Sequence, residues 1–258
     1  MDALARTVLA LVILIGVAGA VPLVDGVRQL RAVAWAAVRG AGQLLGVGLV
    51  LGAVFRAPLA VLPVLAVMVV AATATVTPRL SQLPVRRRWG CPVAVVAAVA
   101  SGAAVTGSVV FATGALQPEI RNLVALGGIT VGGAMTASTL AGRRFVAELR
   151  GRRAEVEGKL ALGATMRQAT ADLVAVAVAE ALVPALDQTR TTGLVTLPGA
   201  FVGALFGGAS PLAAARFQLV VLVGLLAAES VAAVVLLRLL ADVPWLPATT
   251  ATRPPRPG

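Results

Sequence analysis

The stretch "WGCPVAVVAAVASGAAVTGSVVFATGALQP", Trp89 to Pro118, contains no charged residue and follows directly on Arg86, Arg87 and Arg88. Crossing about 30 Å of hydrocarbon takes roughly 20 helical residues. A run of this length bounded by a basic cluster therefore reads as a membrane-crossing helix with an orientation signal at its start. The same pattern recurs along the chain. Uncharged runs lie at Thr7–Val24, Ala57–Pro78, Asn122–Gly142 and Thr191–Ala215. Two further runs hold one charge each, Ala32–Phe55 around Arg39 and Phe217–Leu237 around Glu229. The expected fold is all-α, a polytopic bundle of about seven spans filling residues 1–245, with a proline-rich, disordered tail at 246–258. Hydrophobic residues at 59% against 13% charged lie outside the soluble range.

Basic residues set the orientation. Arg28 and Arg31, then Arg79 and Arg86 to Arg88, then the group from Arg143 to Arg167 occupy alternate connections. The connections between them hold only Arg56, or Glu119 with Arg121. The positive-inside rule then places the N-terminus outside and the C-terminus in the cytoplasm. The first span also resembles a secretory signal, with Arg6, an apolar run and "VAGA"; its apolar run is long for a signal core, and a retained helix is expected. The net charge of +11 comes from these short connections, without interleaved aromatics, and so implies a bilayer and no nucleic acid.

Small residues at helical spacing, Gly42/Gly46, Gly48/Gly52, Gly128/Gly132 and Gly199/Gly203/Gly207, are expected to let helices approach closely, within the chain or between two copies. Pro184, Pro198 and Pro211 are expected to bend or break helices in the second half.

Chemistry is sparse. The chain has no histidine, which removes the commonest general base and transition-metal ligand. Cys91 is alone, so there is neither a disulfide framework nor a CxxC site. A P-loop needs a lysine after its second glycine; "GAAVTGS" at Gly102–Ser108 lacks one. At Gly158-Lys159 the next residue is Leu160, and Arg153 stands where the first glycine belongs. The chain is not expected to be an enzyme or to bind a cofactor itself.

Polar groups inside spans are costly, and so are candidates for function. Arg39 and Gln43 share a face of the second span; Glu180 and Asp187 precede a glycine-rich run; Glu229 sits in the last span. Asp187 could instead pair with Arg190, and Arg39 could pair with Glu229 or reach an interface.

"VEGKLALGATMRQA", Val156 to Ala169, is the polar exception. Glu157 to Gly163 has the Glu-x5-Gly spacing of the segment that ABC importer permeases present to their ATPase. It lies within an arginine-rich connection at about 143–172, expected to be cytoplasmic.

The chain resembles the FetB-type ABC transporter permeases, a bacterial family associated with iron export, with plant relatives linked to aluminium tolerance. The resemblance is carried by "RGAGQL" (Arg39–Leu44), "KLALGAT" (Lys159–Thr165), "VPALDQTRTTGLVTLPG" (Val183–Gly199) and "GGASPLAAARFQ" (Gly207–Gln218). The family's Pro-x-x-Gly-Met-x-x-Gly-Asn-x-Met run reads Ala125, Gly128, Ile129, Gly132, Gly133 and Met135 here, and Glu229 stands where the resemblance implies a small residue. It implies a multi-pass permease of the cell membrane, paired as two copies with a separate cytoplasmic ATPase that holds ATP and magnesium. It also implies a solute path near Arg39, Gln43, Asp187, Pro198, Gln218 and Glu229, with coupling through Glu157, Lys159, Leu162 and Gly163. The other reading open to these residues is an ATPase-independent transporter or channel that uses the intramembrane carboxylates.

Overall fold

The computed structural model describes residues 3–54, 60–81 and 90–241. Arg56, Arg86 to Arg88 and the expected tail lie outside them. All named elements are helices, in two compact units, Met1–Pro58 and Leu59–Gly258. Six helical stretches are long and apolar enough to cross a bilayer: Ala3–Asp25, Leu30–Leu49, Val61–Leu80, Gly90–Ala112, Ile120–Gly151 and Pro211–Leu240. The expected all-α polytopic fold is therefore what the chain adopts.

The first unit is a helical hairpin of α1 (Ala3–Ala20) and α2 (Leu30–Val54). The two helices meet at Gly19, where a Cβ would lie 3.0 Å from the Leu30 Cα.

The second unit holds α3 (Val61–Val76, continued as a 3-10 turn to Leu80), α4 (Gly90–Ala112), α5 (Ile120–Gly151), α6 (Arg153–Ala161), α7 (Met166–Ala169), α8 (Ala171–Thr191), α9 (Gly199–Phe206) and α10 (Pro211–Leu240). Glycine contacts fix its directions. Gly127 faces Leu65 and Gly142 faces Leu80, so α3 runs parallel to α5. Thr106 Oγ1 donates to the Gly224 carbonyl at 3.2 Å and Gly102 lies against the Ala228 carbonyl, so α4 runs antiparallel to α10. Arg144 pairs with Glu180 and Arg152 with Asp172, so α8 returns antiparallel to α5. Phe145, Leu149, Leu173, Leu236 and Leu237 are fully buried among these helices. Val67, Val70, Val93, Val105 and Val223 stay exposed, as suits helices whose solvent is lipid.

Three expectations are corrected. The run Thr191–Ala215 is not one span. Gly193 at φ +89° ends α8, Pro198 caps the eight-residue α9, and Pro211 opens α10, so no single helix can run through. Before it stands α8, whose 21 residues extend about 31 Å and whose charges set it apart from the six apolar helices. Pro184 lies inside α8 without ending it. Second, α5 does not stop at Gly142 but runs to Gly151, because Arg144 pairs with Glu148 one turn on and Phe145, Val146 and Leu149 are buried. Third, the glycines that make close contacts are mostly not the spaced pairs. Gly102, Gly127, Gly133, Gly142 and Gly224 meet neighbouring helices, and of the spaced set Gly128 meets Met68. Gly132, Gly199 and Gly203 have nothing within 4 Å, and Gly42, Gly46 and Gly48 meet nothing within their own hairpin.

Candidate functional site

The two stretches that carry most of the family resemblance come together at one cavity of about 410 Å³. Thr189, Thr192, Gly193, Leu197 and Pro198 supply one wall, Ala215, Gln218, Leu219 and Leu222 the other, and Phe201 of α9 the third. The turn after α8 is tight: Gly193 N–H donates to the Thr196 carbonyl at 2.8 Å, and Val195 N–H to the Thr191 carbonyl at 2.9 Å. Only glycine takes φ +89° without strain, which is why the chain can reverse here. Leu194 and Val195 are left at the turn's exposed tip.

Gln218 is 5% exposed and its Oε1 accepts no hydrogen bond. A buried amide oxygen left unpaired costs about 1–3 kcal/mol, so its retention against a cavity wall asks for an explanation. Thr189 and Thr192 donate their hydroxyls to the Ala185 and Gln188 carbonyls, at 2.8 and 2.7 Å, which leaves oxygen lone pairs as the free polar capacity. The lining is thus neutral and oxygen-rich in its polar part. It holds no carboxylate, and among the described residues no group of three His, Cys, Asp or Glu side chains could hold a metal ion.

The other expected path residues do not join this wall. Asp187 is exposed and sits 3.7 Å from Arg190, so the expected local ion pair forms, but at the surface. Glu180 pairs with Arg144 at 2.9 Å. Glu229 is buried against Gly133 and Leu225, with no ion pair among the described residues. Arg39 and Gln43 are exposed on one face of α2, in the first unit. The residues that sequence reasoning missed are Thr189 on α8 and Thr192 at its C-cap, hydroxyls three apart before a glycine, and Phe201.

At the opposite end of α8 the coupling candidates form a braced element. Glu155 accepts from Arg152 and Lys159 at 2.8 and 2.9 Å, and Asp172 accepts from the same two at 2.6 and 3.0 Å. Hydrogen bonds from Arg152 and then Lys159 hold the Glu155 carboxyl below its ordinary value. For Asp172, partial burial pushes upward, but hydrogen bonds from Lys159, its own backbone N–H and Arg152 outweigh it and the value falls. Lys159 is raised by the same contacts, Glu155 first. Glu157 pairs with Arg153 at 2.7 Å. Helix α6 ends in a Schellman turn, with Ala164 N–H on the Lys159 carbonyl and Gly163 N–H on that of Leu160. Gly163 takes φ +91°, and Thr165 with Gln168 then forms a capping box on α7. Leu162, 90% exposed, is left at the apex of the bend.

Six helices of transmembrane length and composition, a largely apolar cavity beside the last of them and a stiff polar hairpin define a multi-pass membrane protein. Residues 5–243 match the model of the Uncharacterised protein family (UPF0014), and the chain belongs to that family. It is 30% identical over 203 residues to the UPF0014 membrane protein YjkA of Bacillus subtilis, covering 78% of this chain and 79% of that one. It is 29% identical over 205 residues to the Probable iron export permease protein FetB of Escherichia coli, covering 78% and 76%. The UPF0014 membrane protein STAR2 of Oryza sativa is 38% identical over 136 residues, 53% of this chain, and there the match spans about half of the relative's length, 48%. No protein of solved structure matches.

Proposed function

We propose that this chain is the membrane-spanning permease subunit of an ABC transporter, working as two copies with a separately encoded ATPase. The observation that carries the reading is the α6–α7 hairpin: four ion pairs stiffen it while Leu162 projects from its bend. A rigid helix with an apolar knob suits a groove on a partner and passes the partner's motion to α5 and α8, to which it is tied. The name of the Escherichia coli relative makes metal ions, iron among them and moved outward, the solutes to test first. Such a cation would meet amide and hydroxyl oxygens at Gln218, Thr189 and Thr192, ligands that suit hard ions. ATP bound on the partner would favour one orientation of the cavity over the other, by its different affinity for the two states.

The experiment is a search of the neighbouring reading frames for a P-loop ATPase and co-expression of the chain with it. The two are expected to co-purify, and ATP is expected to drive solute across proteoliposomes. An ATPase that neither binds nor stimulates transport would refute the proposal.

The second reading, an ATPase-independent transporter, is favoured by one observation, the unpaired burial of Glu229. Solute flux in vesicles lacking any ATPase, lost in Glu229→Gln, would support it instead.

A further inference from the structure

Arg167 of α7 and Arg238 of α10 line one cleft of about 390 Å³, together with Ala171, Val174, Leu237 and Ala241. Arg167 Nη2 donates to the Arg238 backbone carbonyl at 3.2 Å, which holds the Arg167 guanidinium against the end of α10. Neither guanidinium has a carboxylate partner among the described residues, whereas Arg144, Arg152, Lys159 and Arg190 all do. Asp172, next to Ala171 on this wall, is already engaged by Arg152 and Lys159, and Asp242, next to Ala241, lies outside the described residues. Two cations are thus gathered with no described anion between them, over a wall that is otherwise entirely apolar.

That combination has a matching ligand. We infer that this cleft binds the headgroup phosphate of an anionic phospholipid, with its acyl chain laid against Val174 and the end of α10. The arginine pair supplies forked donors that fit phosphate oxygens. The cleft lies at the end of α10, a helix of 30 residues that is long enough to leave the hydrocarbon on both sides. Basic clefts between transmembrane helices at the headgroup level are where such lipids are held. A free phosphate would satisfy the guanidinium groups alone; the apolar half of the lining favours the lipid. Only the choice of leaflet rests on the orientation proposed for the permease. Lipid binding does not, so its failure would leave the permease reading standing.

The test uses the full chain purified in detergent, with phosphatidylglycerol, phosphatidylcholine or inorganic phosphate added. Lipid retention is read by native mass spectrometry and stability by the thermal midpoint. Wild type is expected to retain phosphatidylglycerol over phosphatidylcholine and to gain thermal stability from it. Each of Arg167→Gln and Arg238→Gln is expected to weaken retention about tenfold, the loss of a charge-assisted hydrogen bond. Arg190→Gln, at the other end of α8, is expected to change nothing. Equal retention of the two lipids by wild type would overturn the inference, as would full stabilisation by inorganic phosphate alone. Undiminished phosphatidylglycerol retention in the double variant would do the same. Should the double variant not accumulate, the wild-type comparison of the three additives decides by itself.

Discussion

Gly133 of α5 and Glu229 of α10 share one packing site: a Cβ at position 133 would lie 2.7 Å from Glu229 Oε1 and 3.3 Å from its Cγ. These are also two of the positions at which the chain departs from the family pattern described above. Glycine stands where asparagine is usual, and an acid stands where a small residue is implied. The two positions at which the resemblance implies other residues are therefore in contact in this chain. A bulkier residue at 133 is therefore expected to fail on its own and to recover in part when 229 is made small. Gly133→Asn should lower the thermal midpoint, with overpacking costing about 1–3 kcal/mol. Adding Glu229→Ala should restore part of it, the remainder being set by Leu225, whose Cδ1 is the atom nearest to that Cβ. Additive losses in the double variant would show that the two sites are independent.

How far the sequence foretold this arrangement depended on which physical signal each element carries. Helices such as α4 announce themselves by length and lack of charge, since a single segment in lipid satisfies its own backbone only as a helix. Helix α8 was hidden because Asp172, Glu180, Asp187 and Arg190 make it polar; Glu180 finds Arg144 on α5, and Asp172 finds Arg152 and Lys159, only once the chain is folded, while Asp187 and Arg190 pair on α8 itself. The apolar run after it read as a span because hydropathy outweighed the Gly193 turn and the two prolines that forbid one. Pro198 and Gln218 were legible as candidates through the motifs around them, and both line the cavity. Thr189 and Phe201 were not, because a cavity wall has no period in sequence.

The bend of the hairpin is expected to tolerate change poorly in shape and well in stability. Gly163→Val forces a β-branched residue to φ +91°, a conformation such residues avoid, although a Cβ there would meet nothing within 4 Å. The spans should still insert and purify normally. Co-purification of the ATPase should fall sharply, and Leu162→Asp should do the same by removing the apolar knob. Normal ATPase binding by both variants would reduce the segment to a connector.

Acid should loosen the same element. Glu155 and Asp172 lie below their ordinary values of 4.5 and 3.8 in the folded chain. A depressed carboxyl contributes stability that is complete above its unfolded value and is lost as pH falls through the folded one. Hydrogen exchange across residues 153–172 is therefore expected to be flat near neutrality and to accelerate below about pH 4, after correction for intrinsic rates. Asp172→Asn should show the faster exchange already at pH 7. Protection that does not change on acidification would mean these ion pairs contribute nothing.

Asp187 separates fold from function cleanly. Its pair with Arg190 is exposed and long, at 3.7 Å, and such pairs contribute about 0–1 kcal/mol. Asp187→Asn should accumulate in the membrane as wild type does. A loss of solute movement at normal abundance would then place Asp187 on the route or at its gate. A variant that fails to accumulate would contradict the exposed geometry.

Gln218 offers the sharpest opposition of stability and activity. Its Oε1 is buried without a partner beside the cavity, so the folded protein carries an unmet polar group. Replacing it with leucine removes that group and keeps an apolar side chain of similar size against Phe201 and Leu222. Gln218→Leu is therefore expected to raise the thermal midpoint, by the equivalent of about 1 kcal/mol or more. If the oxygen is held unpaired because a solute takes its place as partner, the same variant should lose transport. Gln218→Glu supplies the oxygen with a charge, and should shift selectivity toward cations while lowering stability, since a buried charge without a partner is costly. A leucine variant that is stabilised and transports normally would remove Gln218 from the solute path. A destabilised one would show that the amide has a structural partner after all.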